Sequence, residues 1–232
     1  IIYCLKMNKI LLFILLWRKV MTYAIILAGG TGTRLGGDIP KQYIEINGKP
    51  IISYCLEKFE HHQGVDSIIV VANQEWKDYV ENIVSMFKIS KFIGISEAGK
   101  SRQHSILSGL KFIKNNGGMY DDFVIIHDAA RPNITENLIT NCIDKLSFAD
   151  GAMPVLHVKD TIYISEDGEK VNSLLNRDML YAGQAPESYH FGKYYNANLE
   201  LSESELLKIR GSTEVAYKAQ MIIDIFEGDE DN

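Results

Sequence analysis

Apolar and polar positions along this chain follow two periods, and the switches between them outline its elements. Tyr23-Ala24-Ile25-Ile26-Leu27 is an unbroken apolar run that ends in glycines, the pattern of a buried strand. Ser67-Ile68-Ile69-Val70-Val71 and Phe123-Val124-Ile125-Ile126 repeat it, while Gly151 to Val155 and Met221 to Phe226 are weaker strand candidates. From Gln74 to Phe87 the period lengthens to that of a helix, with Trp76, Val80, Ile83, Val84 and Phe87 on one face. A second helix is predicted from an N-cap at Ser101 to about Lys114. Strands alternating with helices predict an α/β fold with a mainly parallel central sheet covered on both faces.

One segment breaks that rhythm. Thr161 to Ser165 alternates, Asp167-Gly168 is a tight-turn signal, and Lys170 to Leu174 can return as a partner strand. These residues predict a hairpin arm over about 158–179, too small to be stable alone and therefore packed on something.

Ahead of the first strand, Ile10 to Trp17 is apolar and flanked by Lys6, Lys9, Arg18 and Lys19. It falls well short of the roughly 20 residues a membrane span needs, and no small-residue cleavage site follows it. Because Met21 stands directly before the strand, residues 1–20 read as an upstream extension and 21–232 as one domain. Membrane attachment through the apolar run is the alternative; the expectation is no membrane partner.

Composition narrows the class. A chain of 232 residues, 46% hydrophobic and 23% charged, can bury one sizeable core. Its net charge of −6 gives no basic footprint for nucleic acid, so anionic ligands must be met by local cations. Cys4, Cys55 and Cys142 are scattered without a CxxC pair, as expected of free thiols in a cytoplasmic protein.

The candidate chemistry starts where the first strand ends. Ala28-Gly29-Gly30-Thr31-Gly32-Thr33-Arg34 is a glycine-rich turn with one arginine, and Pro40-Lys41-Gln42-Tyr43 follows shortly. Glycines allow close approach of backbone N–H groups to anionic oxygens, and a following helix would add its positive end. A Walker A loop would require Gly-Lys-Ser/Thr, and a dinucleotide fingerprint would require two residues between its second and third glycines, where Gly32 and Gly36 are separated by three. A tight structural turn is the other reading of the spacing; Arg34 and Lys41 point instead to a polyphosphate.

Two further clusters can face the same ligand. Gly99, Arg102 and Ser105 recur at helical spacing, although a capped amphipathic helix would show the same residues. Asp128 closes the strand that begins at Phe123, where an aspartate can hold Mg²⁺ or a sugar hydroxyl, or merely cap a turn. Arg131 can meet phosphate or fasten the loop before Pro132. His127 is read as structural and His104 as a surface histidine.

Taken together, four segments in order resemble the small cytidylyltransferases that make CDP-alcohols, a family that includes the 2-C-methyl-D-erythritol 4-phosphate and ribitol 5-phosphate enzymes. They are Leu27-Ala28-Gly29-Gly30-x-Gly32-x-Arg34 with Pro40-Lys41-Gln42-Tyr43, Gly99-x-x-Arg102-x-x-Ser105-Ile106-x-x-Gly109-Leu110, His127-Asp128-Ala129-Ala130-Arg131-Pro132, and Asp160-Thr161 with Arg177. The likeness covers Thr22 to Asn232. It implies a Rossmann-like three-layer nucleotidyltransferase fold with a protruding hairpin that dimerises the chain. It also implies a CTP site built from Ala28, Gly29, Gly30, Gly32, Thr33, Gly99, Arg102, Ser105 and Asp128, the last also a Mg²⁺ ligand. Arg34 and Lys41 would be the catalytic cations. Arg131, Thr161, Arg177 and Thr213 would meet the polyol phosphate, with arm residues reaching the site of a second subunit.

Two departures accompany the resemblance. Gln184-Ala185-Pro186-Glu187 stands where the family usually has Gln-Thr-Pro-Gln, which removes a hydroxyl and adds a negative charge. The family also continues past this chain's Asn232 with a phosphate-binding lysine, a strand and a helix, so the sequence reads as a truncated, less active version. Tyr23 to Gly30 and Asn176 to Gln184 look closer to the ribitol 5-phosphate branch; the methylerythritol branch and a non-catalytic nucleotide-binding protein are the alternatives.

Overall fold

The computed structural model describes residues 18–30 and 39–232. β1 (Thr22–Leu27) leads through a 3₁₀ turn at Lys41–Tyr43 to the short antiparallel pair β2 (Glu45–Ile46) and β3 (Lys49–Pro50). Strands and helices then alternate: α1 (Ile51–His61), β4 (Ser67–Ala72), α2 (Lys77–Met86), β5 (Phe92–Glu97), α3 (Arg102–Asn115), β6 (Phe123–Asp128), α4 (Glu136–Lys145) and β7 (Gly151–His157). The arm contributes β8 (Tyr163–Ile164) and β9 (Ser173–Leu174), after which come β10 (Tyr181–Gly183), β11 (Glu187–His190), α5 (Phe191–Leu199), α6 (Glu203–Lys208), α7 (Ser212–Lys218) and β12 (Ile223–Glu227).

The central sheet is mainly parallel, as the alternating elements predict. β5, β4, β1 and β6 run side by side in one direction, and β12 runs parallel to β7. β11 is the antiparallel insert between β6 and β7. Val155 pairs with Gly183 on one side and Glu227 on the other, so β10 extends the line of β11 along one edge of β7 while β12 holds the opposite edge. Both weaker strand candidates are therefore real, each displaced or extended by one or two residues.

Period-two alternation within the unbroken apolar strands explains the three layers. Ala24 and Ile26 of β1 pack with Ile68 and Val70 under α1 and α2, whereas Tyr23 and Ile25 pack with Ile69 and Val71 under α3, α5 and α7. Strands covered on both faces have no polar side, which is why these runs read as continuously hydrophobic. Each fully buried large aliphatic such as Ile25 or Leu110 contributes about 1.5–3 kcal/mol relative to exposure. The predicted 74–87 helix begins as a 3₁₀ turn at Gln74–Trp76 before α2, with Val80 and Ile83 buried on its inner face.

Two expectations change. The hairpin pairs only at Tyr163 with Leu174 and Ile164 with Ser173, and residues 165–172 form a wide loop instead of a tight Asp167-Gly168 turn. Asp167 gathers the backbone N–H groups of Glu169 and Lys170 on its carboxylate, so its side chain holds an open loop and does not close a two-residue turn. His104 is not a free surface histidine: its ring bonds Ser101 Oγ at 2.8 Å and Glu203 Oε2 at 3.0 Å, clasping α3 to α6.

The apolar run Ile10 to Trp17 lies outside the described residues, and no described helix is long and apolar enough to cross a membrane. Arg18 and Lys19, read from sequence as part of an extension, are tied to the domain. Arg18 grips the buried carboxylate of Asp122 through two bonds of 2.7 and 2.8 Å, and Lys19 pairs with Asp66.

Candidate active site

Strand register sets the site. Leu27 lies opposite both Val71 and Asp128, so β1, β4 and β6 finish level, and the ladder continues one residue further through Ala28 N–H to Val71 O and Ala129 N–H to Leu27 O. The loops leaving these carboxyl ends lie along one edge of the sheet, the usual place for a ligand in an open α/β sheet.

The glycine turn is braced from three sides. Gln42 donates its amide to Ala28 O at 2.6 Å and Gly30 O at 2.9 Å, Tyr43 donates to Ala28 O at 3.4 Å, and Asn73 donates to Gly29 O at 3.3 Å. With these carbonyls held from behind, the backbone path at Gly29-Gly30 is fixed before any ligand arrives. A Cβ at position 29 would lie 2.3 Å from Ala98 Cβ, so only glycine lets this turn pass under the end of β5. Around Gly30 there is open space. Lys41, half-buried, opens the 3₁₀ turn whose next residue does this bracing. Gly32, Thr33 and Arg34 lie outside the described residues.

The second loop is equally closed. Ser101 caps α3 by accepting from His104 N–H, and Ser105 Oγ accepts from Gly99 N–H at 3.0 Å while donating to Ser101 O at 3.1 Å. A Cβ on Gly99 would meet His104 Cβ at 2.3 Å. Ser105 thus locks the loop in addition to standing beside the crevice.

Charge collects at Asp128. Arg102 Nη2 donates to its Oδ1 at 3.2 Å, and Arg131 Nε lies 3.5 Å from its Oδ2. The other arm of Arg102 donates to Ser212 Oγ at 2.6 Å, a hydroxyl the sequence did not single out; its neighbour Thr213, the expected residue, is half-buried at the start of α7. Burial opposes the charge on Arg102, but Asp128 and Glu187 outweigh it and push the guanidinium pKa up. Behind the cluster His127 is fully buried, with Nε2 on Arg131 O at 3.0 Å, and burial pulls its imidazole down to about 4. It is a neutral packing residue, as read from sequence.

Arg102, Arg131, Asp128 and Ser212 therefore form one cluster, and the Gly29-Gly30 and Gly99–Ser105 loops flank it. Thr161 and Arg177 stay on the arm, where Arg177 donates to Lys159 O at 3.0 Å. The departing motif also has a place: Gln184 bonds both ways with Asp229, and Glu187 is buried on β11 beneath Arg102. Gln42, Asn73 and Ser212 were the residues sequence missed; Glu187 was noted only as an added charge. Gln42 sat within a quoted motif, but which carbonyls it would reach depends on how β1 and the 3₁₀ turn pack.

Comparison with known proteins agrees with this architecture. The family profile described as IspD, 2-C-methyl-D-erythritol 4-phosphate cytidylyltransferase, matches residues 22–232. The 2-C-methyl-D-erythritol 4-phosphate cytidylyltransferase of Lachnospira eligens is 38% identical over 169 residues, covering 73% of this chain and 72% of that protein. The ribitol-5-phosphate cytidylyltransferase of Lacticaseibacillus paracasei is 32% identical over 205 residues, covering 88% and 86%. Among solved structures, the 4-diphosphocytidyl-2C-methyl-D-erythritol synthase of Anaerococcus prevotii shares the fold with a TM-score of 0.79 at 22% identity, covering 92% of this chain and 89% of that one.

Proposed function

Because the chain belongs to the 2-C-methyl-D-erythritol 4-phosphate cytidylyltransferase family, we propose that it transfers CMP from CTP to a polyol phosphate, releasing pyrophosphate. The observation that carries this reading is the pre-braced Gly29-Gly30 turn, level with Asp128 and facing the locked Gly99–Ser105 loop. A backbone fixed before binding costs little further ordering when a triphosphate arrives, and its N–H groups are set for anionic oxygens.

In the proposed mechanism the acceptor's phosphate oxygen attacks the α-phosphorus in line and pyrophosphate leaves. The nucleophile is already an anion, so no general base is required, in keeping with the buried, neutral state of His127. Catalysis is alignment and neutralisation of charge. Lys41 and Arg34 supply cations to the phosphates, Gly99 and Ser105 hold the base side, and Arg131 faces the acceptor. Asp128 is a half-exposed carboxylate at a strand end, a donor suited to Mg²⁺, which usually takes one or two carboxylates plus substrate phosphates. When bound, Mg²⁺ would spread phosphate charge; Arg102 and Arg131 fix the carboxylate's orientation.

D-ribitol 5-phosphate is the favoured acceptor, supported by the Asn176–Gln184 segment and by the relative from Lacticaseibacillus paracasei. 2-C-methyl-D-erythritol 4-phosphate is the second reading, supported by the Lachnospira eligens relative. Pyrophosphate release with CTP, Mg²⁺ and each acceptor in turn decides: faster turnover with ribitol 5-phosphate is expected, and CTP binding without release in either assay would leave only a nucleotide-binding protein.

We further propose that the chain acts as a homodimer whose arms complete the acceptor sites with Thr161 and Arg177 of the other subunit. Support comes from the arm itself, which exposes Tyr163, Ile164, Leu174 and Met179 on strands only two residues long. Next to its base a cavity of about 720 Å³ is lined by His157, Lys159, Tyr181 and Phe226. Sedimentation at decreasing concentration tests the assembly, and full activity of a diluted monomer would overturn it.

A further inference from the structure

Ser101, His104 and Glu203 form a hydrogen-bond set that can be counted proton by proton. Ser101 Oγ has a single hydrogen, and at 2.6 Å from Leu206 O, which can only accept, that hydrogen is committed. Leu206 O lies in the last turn of α6, where a helix leaves carbonyls without partners of their own. The same Oγ accepts from His104 N–H at 3.3 Å as the cap of α3. His104 Nδ1, 2.8 Å from this oxygen, is therefore left to donate. Across the ring, Nε2 stands 3.0 Å from Glu203 Oε2. The ring first, then Lys100 and Lys111, hold the Glu203 carboxyl below the usual carboxylate range. A carboxylate only accepts, so Nε2 must donate as well. An imidazole that donates from both nitrogens is the imidazolium.

We propose that His104, in its charged form, is a positioning residue that latches the Gly99–Ser105 loop to α6 and so holds the base side of the nucleotide site in place. This inference rests on the proposed nucleotidyl transfer and deepens it. The latch reaches the loop through Ser101 and Gly99. Ser101 O takes the hydroxyl proton of Ser105, whose oxygen accepts from Gly99 N–H, and a Cβ on Gly99 would stand 2.3 Å from His104 Cβ. With one proton fewer the ring cannot keep every bond: either Nε2 lets go of Glu203, or Nδ1 takes the Ser101 proton and Leu206 O loses it. One end of the latch must open.

That choice gives the site a direction with pH. Histidine changes charge between about pH 5 and 8, so the latch is complete on the acid side and loosens as pH rises. The charged groups around the ring are Glu203 on α6 and, on its own segment, Lys100 and Lys111. From α5 the adjoining Gln103 meets only the neutral Tyr194 and Asn198.

The test compares the parent with Glu203→Gln, His104→Gln and the double variant for CTP binding by calorimetry at pH 5.5 and 8.5. Glu203 has its side chain 80% exposed, so Glu203→Gln leaves the fold intact, and its amide can pair with Nε2 in either protonation state. The parent is expected to bind CTP about fivefold more tightly than Glu203→Gln at pH 5.5, the order of one hydrogen bond to a charged group, with the ratio shrinking towards one at pH 8.5. Taking the ratio cancels the nucleotide's own titration. Inorganic triphosphate, which has no base, should bind parent and Glu203→Gln alike, a distinction that general loosening of the fold would not make. The double variant should cost no more than His104→Gln alone, since both break one latch. A ratio that does not change with pH, an equal loss for triphosphate, or additive losses would overturn the inference. A parent that binds CTP but releases no pyrophosphate would refute the transfer reading alone, leaving the affinity ratio to decide on His104; a parent that binds no CTP refutes both.

Discussion

The cradle and the arm are built on opposite terms. At Gly29-Gly30 the chain satisfies its own geometry: Gln42, Tyr43 and Asn73 fill three consecutive needs of the turn, and every neighbouring strand is covered on both faces. The arm satisfies almost nothing within the chain. Its strands pair over two residues, and Leu174 and Met179 are 62% and 75% exposed. A self-braced region keeps its geometry by itself, whereas an arm with this much exposed apolar surface has the character of an interaction surface.

Variants can press on each side of that contrast. The largest effect is expected from Lys41→Ala, which should lower turnover by about 100-fold or more, because removing one preorganised donor to a transition-state anion commonly costs that much. Steady-state rates decide it, and a loss of only a few-fold would remove Lys41 from the mechanism. Next comes Gly29→Ala, whose methyl group must displace Ala98. Overpacking of that order costs about 1–3 kcal/mol, so CTP affinity should fall roughly tenfold in a chain that still folds. On the arm, Leu174→Asp should leave CTP binding intact while weakening self-association about tenfold by sedimentation, the order expected for one apolar interface residue. If Leu174→Asp instead weakens CTP binding as Gly29→Ala does, the two regions are not independent.

A last prediction concerns stability and not activity, at the residue behind the Asp128 cluster. His127 is held neutral in the fold, with its pKa depressed to about 4 against an ordinary 6.5. Below about pH 6.5 the unfolded chain gains a proton that the folded chain refuses, so this stability is full above that pH and is lost as pH falls towards 4, up to about 3 kcal/mol. Thermal melts from pH 7 to 4.5 should show the decline, and His127→Gln should flatten it.

Much of the fold was legible because the strands are buried on both faces and so declare themselves as apolar runs. The arm was legible in place but not in form, since alternation marks strands without saying whether polar side chains will open the turn, as Asp167 does. Within the site, glycine and charge marked the cradle, Gly99 and Asp128, as residues whose type is itself unusual. His104 was misread because its clasp partner, Glu203, lies far along the chain. Ser212 was passed over for Thr213 for the same reason: one residue of helix phase decides which hydroxyl meets Arg102, and that phase is fixed by packing of α7 on α5.

By itself, then, the sequence determined the order of elements, the two-faced burial of the sheet, the position of the glycine turn and the family. These follow from local periodicity and from residue types with narrow uses. Only the tertiary structure decided which side chains brace that turn, that Arg102 forks between Asp128 and Ser212, and that the charge added at position 187 lies buried beneath it. Each is a contact between segments far apart in the chain, and such contacts exist only once the strands have set their register and the helices their rotation.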